Sequence, residues 1–94
     1  MTLRVTGVAV SPAPPSERGS GLLAWLTVEV NGLALDGFTL RKTQKRRPYI
    51  GFPKRRDNAG RLHPQVWSSD HRIRQSLVDQ ILVLVAADFE ELAT

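Results

Sequence analysis

Residues 22–40 read LLAWLTVEVNGLALDGFTL, and this stretch decides the fold. Over residues 21–30 apolar side chains alternate with the others, which is the period of a strand with one buried face. The Asn31-Gly32 pair then predicts a two-residue hairpin, because both residue types tolerate the positive φ angles of a type I′ turn. Residues 33–40 return as an antiparallel strand, in which Asp36-Gly37 predicts a bulge. The fold is therefore expected to contain an antiparallel meander built on this hairpin.

Shorter segments on both sides add strands to the hairpin. Residues 3–10 are rich in valine and predict a first strand with a bulge at Gly7, where the apolar parity changes. The prolines and glycines of residues 11–21 predict a loop. Residues 49–52, between two prolines, predict a short strand, and residues 62–67 predict an irregular strand that its proline restricts to an edge.

The C-terminal quarter has a helical period. Ile73, Leu77, Ile81 and Phe89 recur at spacings that place them on one helical face. One helix is expected over residues 70–92, about 34 Å long at 1.5 Å per residue. The chain is thus predicted to be a single α+β domain covering residues 1–94, with a meander of four to five strands followed by one long C-terminal helix.

Two further predictions concern this helix. Ser68 or Ser69 is expected to cap it, with Asp70 in the first turn, where the helix dipole favours an acid. Leu82 and Val83 widen the apolar arc beyond what a small sheet can cover. Because a domain of this length buries only about two-thirds of its unfolded surface, we expect a homodimer, the alternative being a thick intramolecular contact.

Charge is concentrated in one segment. Residues 41–61 contain nine basic residues and one acid, Asp57, for a net charge of +8, whereas the rest of the chain carries four basic and eight acidic residues, a net charge of −4. A positive patch on a slightly acidic body is the distribution expected of a polyanion-binding surface. The predicted loops at residues 41–47 and 54–61 project these charges. The alternatives are a solvated basic loop that only keeps the protein soluble, and a site for other anions.

The sequence gives little support for catalysis or metal binding. Without cysteine there is no thiolate nucleophile, disulfide or cysteine-rich zinc site. His63 and His71 lack the spacing of a metal motif, so a structural hydrogen bond is the expectation for His63. Residues 68–71 include the serine, aspartate and histidine of a catalytic triad, but helix capping explains them better. We expect no enzyme activity, cofactor, metal or small-molecule substrate.

The sequence predicts no membrane span and no signal peptide. The longest apolar run, residues 81–87, is far shorter than a bilayer requires, and the apolar runs near the N-terminus are too short for a leader. A cytoplasmic protein is therefore expected.

Three aromatic residues are candidates for stacking on nucleobases. Tyr49 lies inside the basic segment and is the best of them. Trp25 and Trp67 lie next to predicted strands and the helix, so core or dimer contact is the favoured interpretation for both. Whether any of the three stacks on a base is left open.

An ordered set of motifs resembles the stage V sporulation protein G family, the septation-protein family of bacteria. The set comprises Phe38-Thr39-Leu40, then residues 49–56 around Gly51-Phe52-Pro53, the turn residues 57–60, His63-Pro64, and Arg72-Ile73-Arg74 at the start of the helix. The motifs cover about half the chain, and the order of elements covers all of it.

The resemblance implies a small antiparallel sheet with a C-terminal helix, forming a homodimer that binds DNA, and in some members RNA, as a site-specific regulator. Lys54, Arg55 and Arg56 match the basic residues that follow the family's proline. Arg72 or Arg74 matches its helix-opening arginine. The resemblance would connect the chain with sporulation or septation.

These observations together predict a homodimeric, non-catalytic, DNA-binding regulatory protein. The alternatives are a module that docks an acidic protein, and an RNA-binding protein. A single long helix argues against a helix-turn-helix. The residues expected to contact phosphate are Arg41, Lys42, Lys45, Arg46, Arg47, Lys54, Arg55, Arg56, Arg61, Arg72 and Arg74.

Overall fold

The computed structural model describes residues 3–66 and 68–93, and there the chain forms six strands and three helices. The α+β class is confirmed, with the strands divided between a four-stranded antiparallel sheet and a separate two-stranded one. In chain order the elements are β1 (Val5–Pro12), α1 (Pro15–Arg18), β2 (Leu22–Val30), β3 (Leu33–Lys42), β4 (Pro48–Gly51), β5 (Lys54–Arg56), β6 (Leu62–Pro64), α2 (His71–Leu84) and α3 (Ala86–Leu92).

The central hairpin forms as predicted. Asn31 and Gly32 have φ angles of 49° and 85°, and the flanking residues pair across the two-residue turn. The predicted bulge is also present, because Asp36 and Gly37 together oppose Thr27 alone. Gly37 takes a φ of 90°, and the Thr27 hydroxyl donates a hydrogen bond of 3.0 Å to the Asp36 carboxylate. The main sheet has the strand order β1-β2-β3-β4, and β1 carries its predicted irregularity before Gly7.

The core lies on one face of the main sheet, against α2. Alternate residues of β2 and β3 are buried there together with Leu77, Ile81 and Val85. Gln80 joins the helix to β1, since its Oε1 accepts a hydrogen bond of 2.8 Å from Val5 N and its Nε2 donates one of 3.1 Å to Leu3 O.

The other face of the main sheet is open to solvent around Trp25. The interpretation of Trp25 as a core residue was wrong, because its side chain is 40% exposed. Its place in the strand explains this: Trp25 shares its alternation with Thr27 and Glu29, away from the core. Leu23 is buried on the same parity, and the pairing with β3 shifts between Leu22 and Ala24. The prediction for Trp67 lies outside the described residues.

Three segments predicted as loops contain regular structure. β1 continues to Pro12 and is followed by the short helix α1 within the loop expected over residues 11–21. β3 runs on through Arg41 and Lys42, because these residues pair with β4, so the loop expected over residues 41–47 is shorter. Lys54–Arg56 is a strand and not part of a loop, because it pairs with β6.

The C-terminal helix is broken, which corrects the prediction of one long helix. α2 ends at Leu84 and α3 begins at Ala86, with Val85 between them at φ −106° and ψ 10°. Val85 is buried, and Phe89 and Leu92 of α3 also pack against the core. Both helices on either side of Val85 therefore bury apolar residues against the same core.

The N-cap of α2 is Asp70, where Ser68 or Ser69 was expected. Asp70 has extended backbone angles, and its Oδ1 accepts a hydrogen bond of 2.9 Å from Arg72 N. Ser68 contributes just before the helix, where its hydroxyl accepts a hydrogen bond of 3.1 Å from Asp70 N. The Arg72 side chain and backbone together lower the pKa of Asp70.

Among the described residues, no helix is both long and apolar enough to cross a membrane.

Candidate nucleic-acid interface

The open face of the main sheet brings aromatic and basic side chains together. Arg41 of β3 pairs with Tyr49 of β4, and two residues away Thr39 pairs with both Gly51 of β4 and Trp25 of β2. Since alternate residues of a strand share a face, all five lie opposite the buried side chains of Leu40 and its neighbours. Tyr49 is 52% exposed, so its ring is available to a ligand.

A cavity of about 360 Å³ lies at the end of this face, where β4 leads into β5. It connects the two basic segments of the sequence, because Arg41 of β3 and Lys54 of β5 both line it. Two glycines shape its floor. A Cβ atom at Gly51 would collide with the Thr39 hydroxyl and lie 3.8 Å from Arg41 Nε, and one at Gly37 would lie 3.3 Å from Pro53. The complete lining is Gly37, Thr39, Arg41, Tyr49, Gly51, Phe52 and Lys54.

The turn between β3 and β4 carries three more cations, Lys45, Arg46 and Arg47, all exposed. The turn closes on itself through hydrogen bonds of 2.9 Å from Thr43 N to Arg47 O and from Arg46 N to Thr43 O. Arg46 adopts a φ of 59°, which is uncommon outside glycine. These three charges therefore project from a hydrogen-bonded turn and not from an extended loop.

The base of this turn is fixed to the start of β2. Lys42 N donates a hydrogen bond of 2.8 Å to Gly21 O. Gly21 has a φ of +99°, and a Cβ atom there would lie 2.8 Å from Lys42 O, so the contact requires glycine. A polar hollow of about 280 Å³ separates the two segments, lined by Gly19, Ser20, Gly21, Lys42, Thr43, Gln44 and Arg46.

The eleven predicted phosphate ligands divide by their intramolecular partners. Four have such a partner. Arg56 Nη1 donates a hydrogen bond of 2.9 Å to Gly60 O, and Arg61 Nε lies 3.7 Å from the Asp57 carboxylate. Arg72 forms an ion pair with Asp70, and Arg74 stacks on the Phe52 ring. The other seven have no ion pair or side-chain hydrogen bond within residues 3–66 and 68–93. We call these seven the basic surface: Arg41, Lys42, Lys45, Arg46, Arg47, Lys54 and Arg55.

The hairpin that presents Lys54 and Arg55 is organised by Asp57. Asp57 Oδ1 accepts hydrogen bonds from Ala59 N at 2.9 Å and Arg61 N at 2.8 Å, and Oδ2 lies 2.7 Å from His63 Nε2. The bond with His63, followed by the one from the Arg61 backbone, lowers the pKa of Asp57. His63 thus makes the structural hydrogen bond expected of it. Gly60 has the left-handed conformation predicted for this turn, with a φ of 82°.

Arg72 and Arg74 are not part of the basic surface. Both are on the first turn of α2, and neither lines the cavity that contains Arg41. The Arg74 guanidinium lies 4.3 Å from the centre of the Phe52 ring, a cation–π contact that ties the helix to the β4–β5 connection. It borders a second, apolar cavity of about 380 Å³ on the core side of the sheet.

The open face carries two acids at the end far from the β3–β4 turn. Glu29 accepts a hydrogen bond of 2.7 Å from the Thr6 hydroxyl, and Asp36 accepts one from Thr27. Arg41 and the β3–β4 turn lie at the opposite end of the same strands. The face therefore has a positive and a negative end, with Tyr49 at the positive one.

Nothing in the described part of the chain resembles a metal centre. No group of three or more histidine, aspartate and glutamate side chains there could hold an ion. Ser68 and Asp70, two members of the triad-like residues 68–71, form hydrogen bonds at the start of α2. These contacts are those of helix capping.

Comparison of the sequence with protein-family models and with curated proteins finds no match in either.

Sequence reasoning missed two features of this interface. The signal for the exposure of Trp25 is its alternation with Thr27 and Glu29, which outweighs the apolar character of tryptophan. The pairing of β5 with β6 had no such signal, because a strand of three basic residues shows no apolar alternation.

Proposed function

We propose that this protein binds nucleic acid, with the basic surface contacting the phosphate backbone. The observation that carries the proposal is that seven cationic side chains, from two segments that meet at the cavity lined by Arg41 and Lys54, have no carboxylate partner in the described chain. All are exposed except Lys42, which is half-buried.

Such a cluster is electrostatically unfavourable in the free protein, because like charges repel and no acid among the described residues neutralises them. A polyanion relieves this repulsion, and binding is favoured further by release of the counterions condensed on it. Structural ion pairs, which are the ordinary role of surface arginines, account for Arg61 and Arg72 but not for the seven residues of the basic surface. The cluster is therefore best explained by a ligand with several phosphates.

The proposed form is a regulatory homodimer, as the resemblance to the stage V sporulation protein G family implies. Val83 and Leu84, at the end of α2, are 76% and 48% exposed. Adjacent exposed apolar residues on a helix favour contact with a second subunit. Leu82 packs partly against the core of its own chain and Val85 is buried there, so Val83 and Leu84 are the candidates for this contact.

Equilibrium titrations followed by fluorescence anisotropy test the proposal. The probes are labelled duplex DNA, single-stranded DNA, single-stranded RNA and polyglutamate of similar length, all at about 0.15 M salt, where the screening length is about 8 Å. We expect at least one nucleic acid to bind more tightly than polyglutamate. Binding of polyglutamate alone would identify an acidic protein as the partner, and no binding of any probe by folded protein would contradict the proposal.

A further inference from the structure

The open face of the sheet carries two exposed aromatic rings next to the basic surface. Trp25 and Tyr49 are 40% and 52% exposed. The pairing register places them on the same face, because Trp25 is opposite Thr39, Tyr49 is opposite Arg41, and these two β3 residues are two positions apart. Both rings thus flank Arg41.

Neither ring forms an aromatic pair in the described chain. Within residues 3–66 and 68–93 the aromatic pair is Phe38 with Phe52, whose centres are 5.0 Å apart. Trp25 and Tyr49 lie on the side of the sheet away from this pair. The residues between the rings are small, because Gly51 has no side chain and Thr39 occupies the space above it. A flat ligand could reach both rings.

Resting on the proposed function, the geometry points to single-stranded nucleic acid as the ligand, with bases stacked on Trp25 and Tyr49. In a duplex the faces of the bases are already covered by their neighbours, so an exposed ring on a sheet gains nothing from them. A single strand offers free base faces, and aromatic side chains on a positively charged groove are the usual means of holding them. Strands two apart in a sheet are separated by about 10 Å, so the two rings would take different bases.

The charges of the face fix the path of the strand. Phosphates are attracted to Arg41 and the adjoining β3–β4 turn, and are repelled by Glu29 and Asp36 towards the other end of the strands. The bound segment is therefore confined to the half of the face that contains both rings. The remaining strand would continue towards the β3–β4 turn, where Lys45, Arg46 and Arg47 supply further phosphate contacts.

The test separates bases from phosphates. Three probes of equal length are compared at matched salt: an oligothymidylate of fifteen nucleotides, an abasic oligomer with the same number of phosphates, and a duplex. We expect the oligothymidylate to bind at least about tenfold more tightly than the abasic oligomer. Trp25→Ala and Tyr49→Ala should each weaken oligothymidylate binding by about 5- to 150-fold, the range for loss of one stacked base, and should leave binding of the abasic oligomer unchanged.

Two controls make the result specific. Tyr49→Phe keeps the ring and should bind as the unmodified protein does. Leu33→Ala removes an apolar side chain that is 68% exposed elsewhere on the surface, and it should have no effect. Circular dichroism establishes that each variant is folded, and photo-crosslinking to 5-iododeoxyuridine should attach the strand to Trp25 or Tyr49.

The outcomes distinguish this inference from the proposed function. Equal affinity for the oligothymidylate and the abasic oligomer, or tighter binding of the duplex, would overturn stacking while phosphate binding stands. No binding of any probe would overturn both. If the alanine variants instead lower the mass in sedimentation equilibrium and keep their affinity, the face is a contact between two copies and the inference is wrong.

Discussion

Arg41 and Tyr49 are direct partners across β3 and β4, on the face of the sheet opposite α2. The pairing places a cation beside an exposed ring and at the edge of a cavity that also contains Lys54. A phosphate held by Arg41 would therefore bring its base within reach of Tyr49.

Removing the charge at Arg41 should weaken nucleic-acid binding more than removing a charge elsewhere. We expect Arg41→Gln to raise the dissociation constant by about 3- to 10-fold, equivalent to roughly 0.6–1.4 kcal/mol. The matched control is Arg4→Gln, another exposed arginine, placed next to the Asn31 end of the sheet. Fluorescence anisotropy at constant salt measures both. Equal losses would mean that binding follows net charge and not position.

The salt dependence should report the number of phosphates engaged by the β3–β4 turn. On a single strand each neutralised phosphate contributes about −0.7 to the slope of log K against log salt. The double variant Arg46→Gln/Arg47→Gln should reduce the magnitude of this slope by up to about 1.4 per protomer. Preference among base sequences should stay the same if both side chains touch only phosphate. A slope unchanged by the double variant would exclude the turn from the interface.

The exposed end of α2 should hold two copies together. Sedimentation equilibrium at micromolar concentration is expected to give the mass of a dimer, and Val83→Glu to shift the distribution towards the monomer. Because Val83 is 76% exposed, the substitution should leave the folded monomer intact. Ser69→Glu adds the same charge at an exposed position before α2 and should have no effect. A monomeric mass for the unmodified protein would refute the dimer.

The β5–β6 hairpin should lose stability in acid through Asp57. The hydrogen bond with His63 lowers the pKa of Asp57 below its ordinary value of 3.8, so the folded state favours the carboxylate. This contribution is present at pH values above 3.8 and is lost as the pH falls through the lowered pKa. At pH 6 the free energy of unfolding should therefore be larger for the unmodified protein than for Asp57→Asn. This difference in free energy should shrink towards pH 2.

Asp79→Asn serves as the control for this prediction, since Asp79 accepts one hydrogen bond, from Gln75, where Asp57 accepts several. Urea unfolding at a series of pH values measures the three proteins. A difference for Asp57→Asn that is the same at pH 6 and pH 2 would show that the carboxylate charge does not stabilise the hairpin.

The parts of the fold that could be predicted are those specified by neighbouring residues. Asn31-Gly32 determines its own turn, and Asp36-Gly37 its bulge, because both depend on backbone angles that few residue types adopt. The break at Val85 has no such local signal. The helical period continues through Val85 into Phe89, so no local residue signals that the helix ends.

The candidate site was predictable in its charge and not in its geometry. Composition located the basic residues, but which of them have intramolecular partners depends on how the chain returns on itself. The β5–β6 turn places Arg61 next to Asp57, and the packing of α2 places Arg74 next to Phe52. The pairing of Arg41 with Tyr49 also required the register of β3 against β4, which the polar sequence between the two strands does not define.

The location of the bound strand tests the central claim most directly. In ¹H–¹⁵N spectra of the labelled protein titrated with a single-stranded oligonucleotide, the basic surface should respond. The largest shift changes are expected at the amides of residues 41–47 and 49–51 and of Lys54 and Arg55, with little change along the exposed face of α2. Changes confined to α2, or the same small change over the whole molecule at saturation, would contradict the assignment of this surface as a nucleic-acid interface.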